Sequence, residues 1–224
     1  MPTSEPPKLG TTEYTKVSFD LAELSQIKSA VLDGRPYSDR TSVAFITRLI
    51  QAADEGLGYY QIIDELDFLE GLRTRSKTKP AERFKGAILR PFWHKHFTTA
   101  RHIQKNIGDR WALDRGGNRD LDRLLGRIAK RGGENWINIL CHEMIVGGFQ
   151  SRAQTRRLTG DWIIFAKYRR KNYYLDLATH GEAKDEQALM EKLRKGNEAE
   201  FPFVFKQAVA RMSAATSGGQ PQHA

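Results

Sequence analysis

Residues 160–181 read Gly160-Asp161-Trp162-Ile163-Ile164-Phe165-Ala166-Lys167-Tyr168-Arg169-Arg170-Lys171-Asn172-Tyr173-Tyr174-Leu175-Asp176-Leu177-Ala178-Thr179-His180-Gly181, and their pattern decides the fold class. Two apolar, aromatic-rich runs flank the basic Arg169 to Asn172, which is the pattern of a β-hairpin with a cationic tip. Period-two alternation puts Trp162, Ile164, Ala166 and Tyr168 on one face, with Ile163, Phe165, Lys167 and Arg169 on the other. On the second strand it groups Tyr174, Asp176, Ala178 and His180 against Tyr173, Leu175, Leu177 and Thr179. His180 then shares a face with Asp176, and the strand ends on a titratable group.

Upstream of the hairpin the apolar period changes from two to helical. Val17 to Leu32 carries Leu21, Leu24, Ile27 and Val31 at helical spacing, and Asp33-Gly34 is its stop. A second helix is expected after Ser38 or Asp39 as N-cap, with Val43, Ile46, Leu49 and Ile50. Tyr59, Ile62, Ile63, Leu66 and Leu69 mark a third. The basic run Arg73 to Lys79, closed by Pro80, reads as an exposed linker and a domain boundary.

Beyond it, Phe84 to Trp111 is aromatic and basic, with Pro91 separating an entry segment from a helix carrying Phe97, Ala100, Ile103 and Ile107. Gly116-Gly117-Asn118 is a turn before an amphipathic helix with Leu121, Leu124, Leu125 and Ile128 on one face. Asn135 to Phe149 reads as a buried helix, with Val146-Gly147-Gly148-Phe149 as an alternative start of a strand. Lys184 to Lys195 reads as a helix after the hairpin. Helices, then strands, then helices predict an α+β fold: a helical N-terminal region followed by a small antiparallel sheet packed with helices. The expected division is a disordered arm over 1–16, an acidic helical region over 17–72, a basic α+β domain over 80–212 and a disordered tail over 213–224.

The chain carries 36 Lys and Arg against 27 Asp and Glu, a formal charge of +9. The first 70 residues hold 12 acidic and 6 basic side chains, so the basic excess lies almost wholly beyond Gly71. Such a field concentrates phosphate-bearing ligands, which makes RNA the expected partner of the later part. An inhibitor or partner protein on the basic face is a second expectation. No run approaches the roughly 20 apolar residues that span a bilayer, and Cys141 is the only cysteine, so the expectation is a soluble cytoplasmic protein with no membrane partner.

A second constellation is Arg90-Pro91-Phe92-Trp93-His94-Lys95-His96-Phe97, continuing to Arg101 and His102. Histidines interleaved with Lys95, Arg101, Trp93 and Phe97 can stack bases while binding phosphate. His94 and His96 share a face if this segment is extended and diverge by about 200° if it is helical. Ligand types for a metal are present, but no zinc spacing is: the H-E-x-x-H position after His142-Glu143 is Val146. Neither a phosphate loop, a dinucleotide turn nor a nucleophile elbow occurs. The expectation is a site without metal or cofactor.

The order strand, basic turn, strand, then Thr179-His180 with the acidic Glu182 resembles the C-terminal hairpin of RelE/HigB-like ribonuclease toxins, small α+β proteins that cut messenger RNA. The resemblance covers about 22 of the 224 residues, and those toxins are much shorter than this chain. It implies that Lys167, Arg169, Arg170 and Lys171 correspond in kind to phosphate-contacting cations and His180 to an acid or base. RNA cleavage by its own 2′-hydroxyl needs a base, an acid and cations around the transition state, and histidine fills either proton role. The expected function is therefore a metal-independent endoribonuclease of toxin or RNA-processing type. Its expected catalytic residues are His180, His94 and His96, with Lys95, Arg101, Lys167, Arg169, Arg170, Trp93 and Tyr173 binding substrate. The alternative is a non-catalytic nucleic-acid-binding regulatory protein.

Overall fold

Four antiparallel strands in the order β1-β2-β3-β4 form the central sheet of a computed structural model that describes residues 20–54, 58–206 and 208. The arm expected over 1–16 and the tail over 213–224 lie outside these residues. β3 (Asp161–Tyr168) and β4 (Lys171–Ala178) are the hairpin, flanked by β2 (Trp93–Phe97) and the short β1 (Glu82–Arg83). The turn between β3 and β4 is two residues, Arg169 at φ 47° and Arg170 at φ 66°. Two successive left-handed residues match the right-handed twist of a hairpin, a turn that ordinarily selects Asn-Gly.

The α+β class is as expected, with α1 (Leu21–Val31), α2 (Val43–Asp54) and α3 (Tyr59–Leu69) preceding the sheet. α1 starts at a capping box in which Glu23 N–H donates to Asp20 Oδ1 at 2.8 Å and Asp20 N–H to Glu23 Oε2 at 3.0 Å. α2 does not start at Ser38 or Asp39, which lie in a 3₁₀ turn, Ser38–Arg40. Its first turn is capped by Ser42, whose hydroxyl accepts Phe45 N–H at 3.1 Å.

These helices do not form a separate lobe. Phe45, Ile46, Leu49, Ile62, Ile63 and Leu66 share one core with Phe97, Ile163, Phe165, Tyr174 and Leu177 of the sheet. The other sheet face packs Ile164, Ala166, Leu175 and Ala178 against Phe84, Leu89, Phe92, α8 (Glu186–Asn197) and Phe201 to Phe205. With both faces covered, the sheet is the middle layer. The run 73–79 is exposed at Arg73, Thr74, Arg75 and Lys77, as expected, but it is anchored at its end: Thr78 is buried, and its hydroxyl bridges Glu65 of α3 and the His96 carbonyl of β2.

Strict alternation fails on β4. Ile164 pairs with Asp176 but Phe165 with Tyr174, so a bulge at Leu175 turns Tyr174 and Asp176 to opposite faces. The start of α2 takes up the backbone there: Ser42 N–H donates to Tyr174 O at 2.9 Å and Ser42 Oγ to Leu175 O at 2.8 Å. Sequence offers no sign of such a bulge, whose partner lies about 130 residues upstream.

A third, smaller core of Trp111, Leu124 and Ile128 joins α4 (Ile103–Trp111), α5 (Arg119–Arg131), α6 (Trp136–His142) and α7 (Gly148–Gln154), with a π-helical turn, Glu143–Gly147, between the last two. The segment expected to be a buried helix is this α6 run, and it is largely exposed at Trp136, Ile137, Cys141, Ile145 and Val146. Its apolar residues exceed what this small core covers. No helix among the described residues is long and apolar enough to cross a membrane.

Candidate functional site

Trp93 to Phe97 is a strand rather than a helix entry, and that decides where the histidines go. β2 pairs with β3 so that His94 lies opposite Ile164 and His96 opposite Trp162. Both histidines therefore share the Trp162 face, and the end of β4 delivers His180 to the same place. Ring centroids are 4.6 Å apart for His94 and Trp162, 4.6 Å for Trp162 and His180, and 5.5 Å for His96 and His180. His96 is buried, His94 half-buried and His180 exposed, so the cluster opens to solvent through His180.

Close approach at Gly160 makes this possible. A Cβ built there would lie 1.8 Å from the Phe97 carbonyl oxygen. The Gly160 carbonyl accepts from His96 Nδ1 at 3.1 Å, which fixes the tautomer with the proton on Nδ1 and a lone pair on Nε2. The Gly160 carbonyl also acts on His180, where it favours the protonated form.

Burial pushes His94 down to about 4 and His96 down to about 3, in each case against a partner that favours protonation, Glu82 for the first and the Gly160 carbonyl for the second. His180 is lowered for the same reason, with Lys105 and Lys79 adding to the effect. All three imidazoles are neutral at neutral pH. A neutral imidazole at the surface, faced by ammonium groups, can accept a proton beside a bound anion.

His102, from the same sequence cluster, stands next to them with a different task. Its Nδ1 accepts Thr99 N–H at 3.0 Å, and its Nε2 faces Asp161 Oδ2 at 3.5 Å. Arg101 pairs with the same carboxylate. Beside this pair a cavity of about 110 Å³ is lined by Arg48, Phe97, Arg101, Asp161, Thr179 and Glu182.

The expected substrate-binding residues are not gathered at the histidines. Lys95 is fully buried on the opposite sheet face, where its ammonium bonds Ser76 Oγ at 2.9 Å, Lys79 O at 2.6 Å and Glu65 Oε2 at 3.0 Å. It is an internal strut and does not reach a phosphate. Trp93 is on that same face, under Lys167 Nζ at 4.1 Å from the ring and the Arg83 guanidinium at 5.3 Å. Tyr173 is on the histidine face but far along it, edge-on to Phe201 and Phe203 at 5.3 and 5.0 Å.

Arg169 and Arg170 form the hairpin tip. The eight residues of β4 separate that tip from His180 by about 25 Å at the usual strand rise. One phosphate cannot touch both ends. Sequence reading also missed Trp162 and Asp161 as neighbours of the histidines, and Lys79 and Lys105 as charges that act on His180. The signal available for one further residue was Thr179-x-x-Glu182, the spacing of a capping box.

Among the described residues, no three or more His, Cys, Asp or Glu side chains are grouped so as to hold a metal ion. Comparison with protein-family models, with curated proteins and with solved structures returned no match.

Proposed function

We propose that this chain is an endoribonuclease that works by acid/base chemistry without a metal, with its reaction centre at His180, His94 and His96. The observation that supports this reading is the convergence of three neutral imidazoles on Trp162, one of them exposed and within the electrostatic reach of Lys79 and Lys105. In the proposed step His180 takes the proton of a ribose 2′-hydroxyl as its oxygen attacks the adjacent phosphorus. The bond from phosphorus to the 5′-oxygen breaks, and an ammonium, Lys79 or Lys105, gives that oxygen a proton. The products are a 2′,3′-cyclic phosphate and a 5′-hydroxyl. Positioned proton transfer of this kind supplies about a hundred- to ten-thousand-fold.

The test is to incubate the chain with RNA, with and without chelator, and map new ends. Cleavage that persists in chelator and is lost in both His180→Ala and His94→Ala agrees with the proposal; cleavage unchanged in both variants ends it. The hairpin tip and α5 favour a second reading. α5 exposes Arg119, Arg123, Arg127, Lys130 and Arg131 well away from the sheet, as a non-catalytic nucleic-acid-binding regulator would. Steeply salt-dependent RNA binding with no product would support that reading.

A further inference from the structure

His180 sits inside a small frame that reaches back to the N-terminal helices. Thr179 N–H donates to Glu182 Oε2 at 2.8 Å, and Glu182 N–H donates to Thr179 Oγ1 at 3.2 Å. This is a reciprocal capping box closed around His180 and Gly181. The other oxygen of the same carboxylate, Oε1, accepts Arg48 Nη2 of α2 at 2.5 Å and Lys192 Nζ of α8 at 2.9 Å.

Those two cations also grip β4 itself. Buried Asp176 meets Arg48 Nε at 3.3 Å and Lys192 Nζ at 3.1 Å, while Arg48 Nη2 donates to the Leu177 carbonyl at 3.3 Å. A free strand end two residues past its last ladder pair would sample many turn geometries. Here the Glu182 carboxylate holds the backbone before His180, the Thr179 hydroxyl holds the backbone after it, and the carboxylate is itself held by two helices. Neither Arg48 nor Glu182 is among the aromatic and imidazole contacts that His180 makes. Their effect on it passes through the turn.

We infer that Glu182 and Arg48 are positioning residues for His180, so that the N-terminal helical region sets the reaction geometry at the end of β4. This rests on the ribonuclease reading for its catalytic part, while the geometric part can be read without any reaction. In this ion cluster α2 supplies one of the two cations that hold the histidine turn.

The experiment uses the full chain in four variants: Glu182→Ala, Glu182→Gln, Arg48→Met and Arg48→Lys. The imidazole of His180, assigned with His180→Asn, is followed by NMR titration alongside RNA cleavage. Glu182→Ala and Arg48→Met are expected to move the His180 titration midpoint up toward its ordinary value and to lower kcat about ten- to a hundred-fold with KM little changed. Arg48→Lys, which keeps the charge, is expected to restore part of both, and Glu182→Gln, which keeps an acceptor for Thr179 N–H, to fall between wild type and Glu182→Ala.

A folded Glu182→Ala or Arg48→Met with the wild-type His180 titration and wild-type kcat overturns the inference. If wild type cleaves no RNA, the ribonuclease reading fails by itself. The titration then decides the positioning role alone: a shifted midpoint upholds it and an unshifted one sinks it.

Discussion

The two ends of one hairpin are built on opposite principles. At the tip, two arginines hold left-handed backbone that costs about 1–2 kcal/mol per residue outside glycine, and they project into solvent. At the other end, His180 is framed by a capping box, four charged side chains and the carbonyl of Gly160. The tip keeps its charges at the expense of backbone comfort, whereas the base spends its charges on fixing one side chain. Positive charge in a hairpin is therefore no guide to where its chemistry lies, and the two ends can be disturbed separately.

The largest effect is expected from the base. Gly160→Ala places a methyl group into the Phe97 carbonyl, and β2 must part from β3 to admit it. The expected cost is about 3 kcal/mol or more in urea denaturation, with loss of the His96 to Gly160 hydrogen bond seen as a changed His96 resonance. His180→Ala comes next: cleavage of RNA should fall about a hundred- to ten-thousand-fold while the melting temperature stays close to wild type. A smaller loss would mean that the exposed imidazole is not the base.

Acid should weaken the base end and leave the tip alone. His94 and His96 have folded values of about 4 and about 3, so between these and about 6.5 the unfolded chain binds protons that the folded chain refuses. Stability is full above about pH 6.5 and is lost as pH falls below it. For buried His96 the loss is on the order of 2 kcal/mol at pH 5. Denaturation at pH 7.5 and pH 5 measures it, and His96→Gln should flatten the dependence. The smallest effect belongs to the tip. Arg170→Gly removes a left-handed strain and should stabilise by about 1 kcal/mol, with kcat on a short RNA unchanged because His180 lies about 25 Å away.

The same contrast marks what the sequence disclosed. β3, β4, the basic tip and a histidine at the strand end were legible, because alternation and turn chemistry are local signals. The helix over Tyr59 to Leu69 was legible for the same reason. The strand at Trp93 to Phe97 was not, since His94, Lys95 and His96 in succession between two aromatics show no apolar period. Lys95 looked like a surface cation because its counter-charge, Glu65, lies 30 residues earlier and on another element.

The bulge at Leu175 hid the true faces of β4, and the boundary drawn at 73–79 separates elements that share one core. Each miss is a long-range contact overriding a local rule. The fold does bring His94, His96 and His180 together, although nothing in their spacing required it. Three of the cations chosen to serve them, Lys167, Arg169 and Arg170, lie toward the conspicuous tip, while the two whose charge acts on His180 are Lys79, at the end of the basic run 73–79, and Lys105.

Ser42 meeting the Tyr174 and Leu175 carbonyls, 133 residues on in the latter case, also sets a clock. A ribosome adds about 5–20 residues each second, so α2 waits on the order of ten seconds for the strand that completes its core. During that interval Phe45, Leu49 and Ile62 have no sheet to cover them. Newborn chains should therefore depend on holding factors, and the histidine turn is assembled among the last parts of the molecule, so that any reactivity belongs to finished copies alone.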